Sequence, residues 1–239
     1  MTKVEAIKKL MEDNGGVAPW RYIYDNIEKY YPAAKASQEW RAGIRGVLYR
    51  EIRNNKNFKQ IGFGTFALRE YEQEKQIAEI KKDKVRMHSY IEGIMVELGN
   101  YEQFDTHCAD PTAEFQKNIF IDQLATVKDF PKFTYPEINK IARRIDVIWF
   151  NKKGYKFPKR IIEVVDSIGT LGESLNRMYQ LKEFRAEFLL LHPENHQLKI
   201  EQMIEREPYS ILKDRFVVKN YDDIISYYNK RLELEKLKF

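Results

Sequence analysis

The sequence predicts an α/β (α+β) chain in two parts, a small helical segment closed by a hairpin and a larger segment of mixed strands and helices. Three observations carry this prediction. Apolar residues repeat at helical spacing three times before residue 55 and a glycine-bearing hairpin follows. A charged stretch without Gly or Pro occupies residues 71–86. Beyond it, short runs rich in Ile and Val alternate with helical patterns. The 239 residues suit one to two domains, and 43% hydrophobic content supplies a buried core. A disordered tail and a disulfide-stapled mini-protein are thereby excluded.

In the first segment Val4, Ala6, Ile7, Leu10 and Met11 recur at helical spacing, and the pattern stops at Asn14-Gly15-Gly16. A second helix opens near Pro19, a residue suited to the first turn, and carries Trp20, Ile23, Tyr24 and Ile27 until Tyr31-Pro32 ends it. The third starts after Ser37, an N-cap residue type, and runs to about Asn54. Its apolar stripe is Trp40, Ile44, Val47, Leu48 and Ile52. Arg41, Arg45, Tyr49 and Arg53 follow one another at intervals of four and share a neighbouring face. Phe58 to Ile61, Gly62-Phe63-Gly64 and Thr65 to Leu68 read as a hairpin turned on glycines. Three helices and a hairpin are the order of a winged helix-turn-helix, here residues 1–70.

Charge marks the same segment. The whole chain carries 41 Lys and Arg against 36 Asp and Glu, a net of +5 that names no partner. Residues 1–70 hold 13 basic and 8 acidic side chains, whereas residues 71–239 hold 28 of each, so the excess is confined to the first part. Between Arg41 and Lys59 stand Arg41, Arg45, Arg50, Arg53, Lys56 and Lys59 against Glu51 alone. Such a cluster is the footprint expected of phosphate contacts, and a solvated charged face is the alternative. In a winged helix the third helix enters the major groove of duplex DNA. Arg41, Arg45, Tyr49, Arg53, Lys56 and Lys59 are therefore the DNA-contact candidates.

Residues 71–86 read as a solvated connecting helix, and the second domain is expected from residue 87 to 239. A helix is expected at 87–99, then an irregular stretch to about 142. Two strands follow, Arg144 to Phe150 and Arg160 to Val165, joined by the hairpin connection Asn151 to Pro158. Further on are a helix at 172–184, a strand at 187–191, a helix at 198–205, a strand at 215–218 and a terminal helix from 221. Inside the two apolar strands stand Asp146 and Glu163. A carboxylate is almost never fully buried unless paired or bound to a metal. On adjacent strands the two can converge on one divalent ion, and oxygen ligation suits Mg²⁺. The alternative is that each sits at a strand end or pairs with Arg143, Arg144 or Lys159.

Other groups carry less signal. His107-Cys108 with Asp105 and Asp110 lacks the paired spacing of a zinc site and reads as a loop. His88 opens a helix, where phosphate or metal contact competes with a local role. Arg177 and Gln180 lie one turn apart and can reach one phosphate or carboxylate cluster. Phe133 and Tyr135, after Asp129-Phe130-Pro131, form an aromatic stretch for which base contact competes with ordinary packing. Phosphate-cradling, dinucleotide-binding and nucleophile-elbow motifs are absent, which removes support for a nucleotide cofactor or a serine hydrolase. The single cysteine, Cys108, permits no intramolecular disulfide, and no apolar run is long enough to cross a bilayer. A cytoplasmic protein without a membrane partner is expected.

Gly62-Phe63-Gly64-Thr65-Phe66-Ala67-Leu68-Arg69 resembles the ending of the HARE-HTH winged-helix family, which implies a DNA-binding module of a kind found fused to restriction endonucleases and chromatin proteins. The second segment resembles the PD-(D/E)XK nucleases, and more closely type II restriction endonuclease-like proteins. The likeness rests on His88-Ser89-Tyr90-Ile91-Glu92-Gly93 with Glu97-Leu98-Gly99, on Leu124-Ala125-Thr126 through Phe130-Pro131, and on Arg143 to Phe150. Glu163-Val164-Val165-Asp166-Ser167 and Ser174 to Leu181 extend it. The resemblance implies that Asp146 and Glu163 bind the metal, with Glu97, or in its place Glu92, as an additional catalytic carboxylate. One position departs from the pattern. Val165 stands where the superfamily has Lys or Glu, and valine can neither hold a metal nor orient a water. Lys152, Lys153 and Lys159 are candidate replacements; Asp166 is not, because successive strand side chains point to opposite faces.

The expected function is a type II restriction endonuclease-like, Mg²⁺-dependent (or Mn²⁺-dependent) hydrolysis of double-stranded DNA. A palindromic cut calls for a homodimer. The competing expectation is a non-catalytic DNA-binding or regulatory protein on a degenerate nuclease fold, and Val165 favours it.

Overall fold

The computed structural model describes residues 1–237; the last two residues of the expected second segment lie outside this range. Helix α1 (Lys3–Asp13) opens with a capping box: Thr2 Oγ1 accepts from Glu5 N at 3.2 Å, and Glu5 Oε2 accepts from Thr2 N at 2.7 Å. Strand β1 (Val17–Pro19) leads into α2 (Trp20–Asn26), prolonged by a 3₁₀ turn at Ile27–Lys29. Helix α3 (Trp40–Arg53) starts later than expected. Its N-cap position is Glu39, which makes no side-chain cap, so Ser37 does not serve there. Strands β2 (Phe58–Gln60) and β3 (Thr65–Leu68) complete an antiparallel sheet of order β1-β3-β2. At three residues, β1 is too short to show a strand period and forms because Val17 and Ala18 find partners in Ala67 and Phe66.

The connector is two helices, α4 (Gln73–Ile80) and α5 (Lys84–Tyr101). They are separated at Asp83, whose carboxylate caps α5 by accepting from Val85 N at 2.9 Å and Arg86 N at 3.3 Å. Ile80 is buried, so this stretch is not wholly solvated, and residue 87 lies within α5 rather than at its start. Helix α5 is the central helix of the larger part, buried continuously from Tyr90 to Gly99.

Next come β4 (Phe104–Cys108), the small hairpin β5 (Glu114–Gln116) and β6 (Ile119–Phe120), and α6 (Pro136–Ala142). The stretch expected to be irregular thus supplies three strands and a helix, and His107-Cys108 lies in β4 rather than in a loop. Strands β7 (Val147–Asn151) and β8 (Pro158–Val164) form the expected hairpin. Then follow α7 (Ile168–Gln180), β9 (Glu187–His192), α8 (Gln197–Ile204), β10 (Phe216–Asn220) and α9 (Tyr221–Lys236). The five-stranded mixed sheet has the order β10-β9-β8-β7-β4, with β4, β7 and β8 antiparallel and β8, β9 and β10 parallel.

Both sheet faces are covered, and the side-chain alternation of β8 shows how. Ile162 and Val164 pack with α5 and α9; Ile161 and Val165 pack with α7 and α8. The first of these cores also takes in Val17, Ile61 and Ala67. The N-terminal sheet therefore packs directly on α5, while α1, α2 and α3 enclose a smaller core with Phe58 and Phe66.

Candidate metal centre

The first turns of α5 face the start of β7 and the end of β8. His88 and Glu92 are four residues apart on α5 and share one face. Asp146 precedes β7, where Val164 N donates to its Oδ2 at 2.7 Å. One ligand atom from each of His88, Glu92 and Asp146 lies within 4.8 Å of the other two. His88 Nε2 is 3.5 Å from Glu92 Oε1 and 4.0 Å from Asp146 Oδ2. Its other nitrogen, Nδ1, is 2.6 Å from Asp166 Oδ2, and Tyr221 of α9 donates to Asp166 Oδ1 at 2.5 Å. A cleft of ≈ 610 Å³ opens over these residues, with Arg143, Arg144 and Arg177 in its wall.

The electrostatics follow from crowding acids in a half-enclosed place. Burial raises the Glu92 and Asp146 carboxyls, opposed by His88 for Glu92 and by the Val164 amide for Asp146. Burial alone would lower His88, but Asp166, Glu92 and Asp146 outweigh it and push the imidazole up to about 10. The imidazolium is thus the cation that these carboxylates surround. A nitrogen and two carboxylate donors around one point also fit a divalent metal ion, which would take the place of the Nε2 proton and bind the imidazole in its neutral form. Carboxylate oxygens suit Mg²⁺, and the imidazole widens the choice to Mn²⁺.

Glu163 lies beside this group on the other face of β8. It is fully buried and held at two points by Arg177 of α7: Nε donates to Oε1 at 2.7 Å, and Nη2 donates to Oε2. Burial drives the Glu163 carboxyl upward, whereas the same pair raises Arg177; the two-pronged geometry is that of an ionised carboxylate.

Glu97 does not join the cluster. It is buried two to three turns further along α5, where Thr65 Oγ1 donates to it at 2.5 Å, Phe63 N at 3.1 Å and Gly64 N at 3.3 Å, with Tyr228 Oη as a fourth donor. Its partners are the hairpin turn and α9. Lys152, Lys153 and Lys159 belong to the far end of the β7–β8 hairpin; Lys152 Nζ donates to Gln103 Oε1 at 3.0 Å. Gln180 is exposed and faces a different cleft from Arg177. Val165 is wholly enclosed in the core under α7. Asp166 lies beyond the end of β8, past the strand alternation, and comes to the α5 side to meet His88. The spacing His88-x-x-x-Glu92 was the signal available for the centre; Asp166 left none, because its place depends on how the chain leaves the strand.

Among the DNA-contact candidates, Arg41, Arg45, Arg53 and Lys56 are exposed. Arg41 lies over the rings of Tyr24 and Trp40, and Arg45 Nη1 donates to Tyr24 Oη at 3.3 Å. Tyr49 is turned inward, edge-on to Trp20 and Phe66, and Lys59 donates to the carbonyl of Tyr71. Neither shares the open face of the arginines.

A family model described as the Type II restriction enzyme NmeDI C-terminal domain matches residues 69–237. The chain belongs to that family. Comparison with curated proteins and with solved structures found no match. No described helix is long and apolar enough to cross a membrane.

Proposed function

We propose that the protein is a metal-dependent endonuclease of restriction type acting on double-stranded DNA. The observation that carries this reading is the His88, Glu92 and Asp146 group in a chain of a type II restriction enzyme family. We assign the cation to these three residues and keep Glu163 as a neighbouring charge, a PD-(D/E)XK-like arrangement with the acidic helix residue at 92 rather than 97. A divalent ion bound there supplies polarisation of the scissile phosphate and a lowered pKa for the attacking water.

The protein's own part is positional. Asp146 is fixed by the Val164 amide, and His88 by Asp166, which Tyr221 holds in turn. Arg177 brings a guanidinium next to Glu163 and Asp146, the charge that a lysine at position 165 would otherwise supply. The exposed Arg41, Arg45, Arg53 and Lys56 hold the duplex through its phosphates in a winged-helix manner. Cutting both strands of a palindrome calls for two copies of the chain.

The test is cleavage of duplex DNA with Mg²⁺ or Mn²⁺ by the protein and by its Asp146→Asn and Glu92→Gln variants. Both are expected to lose at least about 100-fold in rate and to weaken Mn²⁺ binding measured by calorimetry. Cleavage undiminished in both variants overturns the assignment.

A second reading, a DNA-binding protein that no longer cuts, is favoured by the enclosed Val165. Lysine or glutamate at 165 would bury a charge and cannot test it. Arg177→Ala can: a band shift without cleavage in both the parent and this variant supports the second reading, whereas cleavage by the parent that the variant loses removes it.

A further inference from the structure

The β7–β8 hairpin points away from Asp146. Five residues of strand separate its tip from the metal centre, on the order of 15 Å. Around this far end lies a cleft of ≈ 970 Å³, at the upper end of the range for ligand sites. Its floor is apolar, with Phe133 and Phe184 in contact at a centroid distance of 4.7 Å. Its rim is aromatic and open: Tyr135 is 68% exposed, Tyr155 86% and Phe157 53%. Contiguous exposed apolar surface of this kind marks an interaction site.

The charge around these rings is predominantly positive. Residues 151–160 contain Lys152, Lys153, Lys156, Lys159 and Arg160 and no acid. Three of these are engaged: Lys152 Nζ donates to Gln103 Oε1 at 3.0 Å, Lys156 pairs with Asp105, and Arg160 Nε with Glu187 Oε2 at 2.5 Å. Lys132, Lys159 and Arg185, which line the cleft, make no ion pair or hydrogen bond to a described residue; Glu183 is the one acid in its wall. Exposed rings interleaved with free cations offer stacking surfaces and phosphate contacts together, and every nucleobase has a face that stacks. An acidic peptide would use the cations and leave the rings uncovered. Paired bases inside a duplex present no faces to them.

We propose that this cleft is a second nucleic-acid site, which takes an unpaired strand: bases lie against Tyr135, Tyr155 and Phe157, and the backbone against Lys132, Lys159 and Arg185. The recognised chemistry is an unstacked nucleobase carrying its phosphate. The site is separate from the metal centre and does not depend on cleavage.

The experiment uses the full chain in EDTA with a fluorescein-labelled 12-nucleotide single-stranded DNA, read by anisotropy. Binding is expected to weaken at least tenfold in Tyr135→Ala/Tyr155→Ala and in Lys159→Ala/Arg185→Ala, with circular dichroism unchanged. Photocrosslinking of an iodouracil-bearing strand is expected to label residues 133–157. Competition by deoxynucleoside monophosphate separates the two sources of this chemistry. Displacement at micromolar concentration assigns the cleft to free nucleotides, whereas resistance assigns it to a strand. Absence of single-strand binding, or binding indifferent to both double variants, overturns the proposal. Because no metal is present, a chain that cuts no duplex can still bear it out, and a chain that cuts can still refute it.

Discussion

Glu92 and Glu97 lie on the same helix five residues apart, and both are buried. A carboxylate on the helix preceding an Asp-bearing strand is what a nuclease-like pattern uses, and both Glu92 and Glu97 satisfy that description. The difference lies in what each carboxylate meets: Glu92 faces His88 and Asp146, while Glu97 accepts from four donors of the hairpin turn and α9. Glu97→Ala is expected to cost about 3 kcal/mol, because it orphans buried donors that water cannot reach. Urea denaturation checks this, and a loss below about 1 kcal/mol would contradict the role given to the cluster. The same contact explains a glycine. A Cβ on Gly62 would stand 2.4 Å from a Glu97 carboxylate oxygen, so the Gly-x-Gly turn reflects close approach and not only its bend.

His107 gives a pH prediction at this scale. Burial, together with the Arg143 charge, lowers its imidazole to about 4 from an ordinary 6.5, against a backbone hydrogen bond at Arg143 that raises it. The unfolded chain therefore binds a proton where the folded one does not, and stability falls as pH drops from about 6.5 through 4. His107→Phe is expected to flatten that part of the acid limb, measured as urea midpoints at pH 7 and 4.5. An equal fall in both proteins would count against it.

At the scale of elements, α5 decides the architecture. It runs against β4, β5 and β7, and glycine is required where the approach is closest. A Cβ on Gly93 would meet the Phe115 ring at 2.1 Å, and one on Gly99 would meet Thr106 and Trp149 at 2.5 and 2.7 Å. Alanine at an exposed helical position would stabilise by up to about 1 kcal/mol. Here Gly99→Ala is expected to lower the melting temperature by several degrees, because backbone or ring must give way; calorimetry decides the sign.

Elements with an internal period were legible: α1, α2, β7, β8 and α9 fall close to where their patterns put them, and the short β2 and β3 were legible from the glycine turn between them. The invisible ones were those made by partners. β1 exists because β3 lies beside it, and β4 was hidden because Asp105 and His107 give it a mixed face. The split between α4 and α5 turns on Asp83, a cap in the middle of a charged run. For the site, Asp146, Glu163, His88 and Arg177 were legible as unusual residues. The expected reach of Arg177 to a carboxylate is seen at Glu163, whereas the partners of Asp146 in the cluster are His88 and Glu92 instead of Glu163, since which strand face each occupies depends on the sheet and on α7.

For the whole molecule, the N-terminal segment is not hung on a tether. Val17, Ile61 and Ala67 share a core with α5, Asn14 Nδ2 donates to Asn118 O at 3.1 Å, and Arg21 Nη1 to Asp122 O at 2.7 Å. The expected division at residue 70 is therefore crossed by packing. The chain is predicted to unfold in one transition, with fluorescence and calorimetry coincident. Two resolved transitions, or a fragment beginning at residue 71 with undiminished stability, would contradict this.

Helices α5 and α9 each touch two places. α5 carries His88 and Glu92 at one end and Glu97 further along; α9 carries Tyr221 beside Asp166 and Tyr228 beside the hairpin turn. Both helices therefore tie the acidic cluster to the hairpin turn of the N-terminal sheet through unbroken helix rather than through a loop. At 1.5 Å per residue, the nine residues from His88 to Glu97 span about 13 Å. The spacing between cluster and turn is thus kept by helical rise, and a change in one helix's length would shift the small sheet as a unit rather than loosen it.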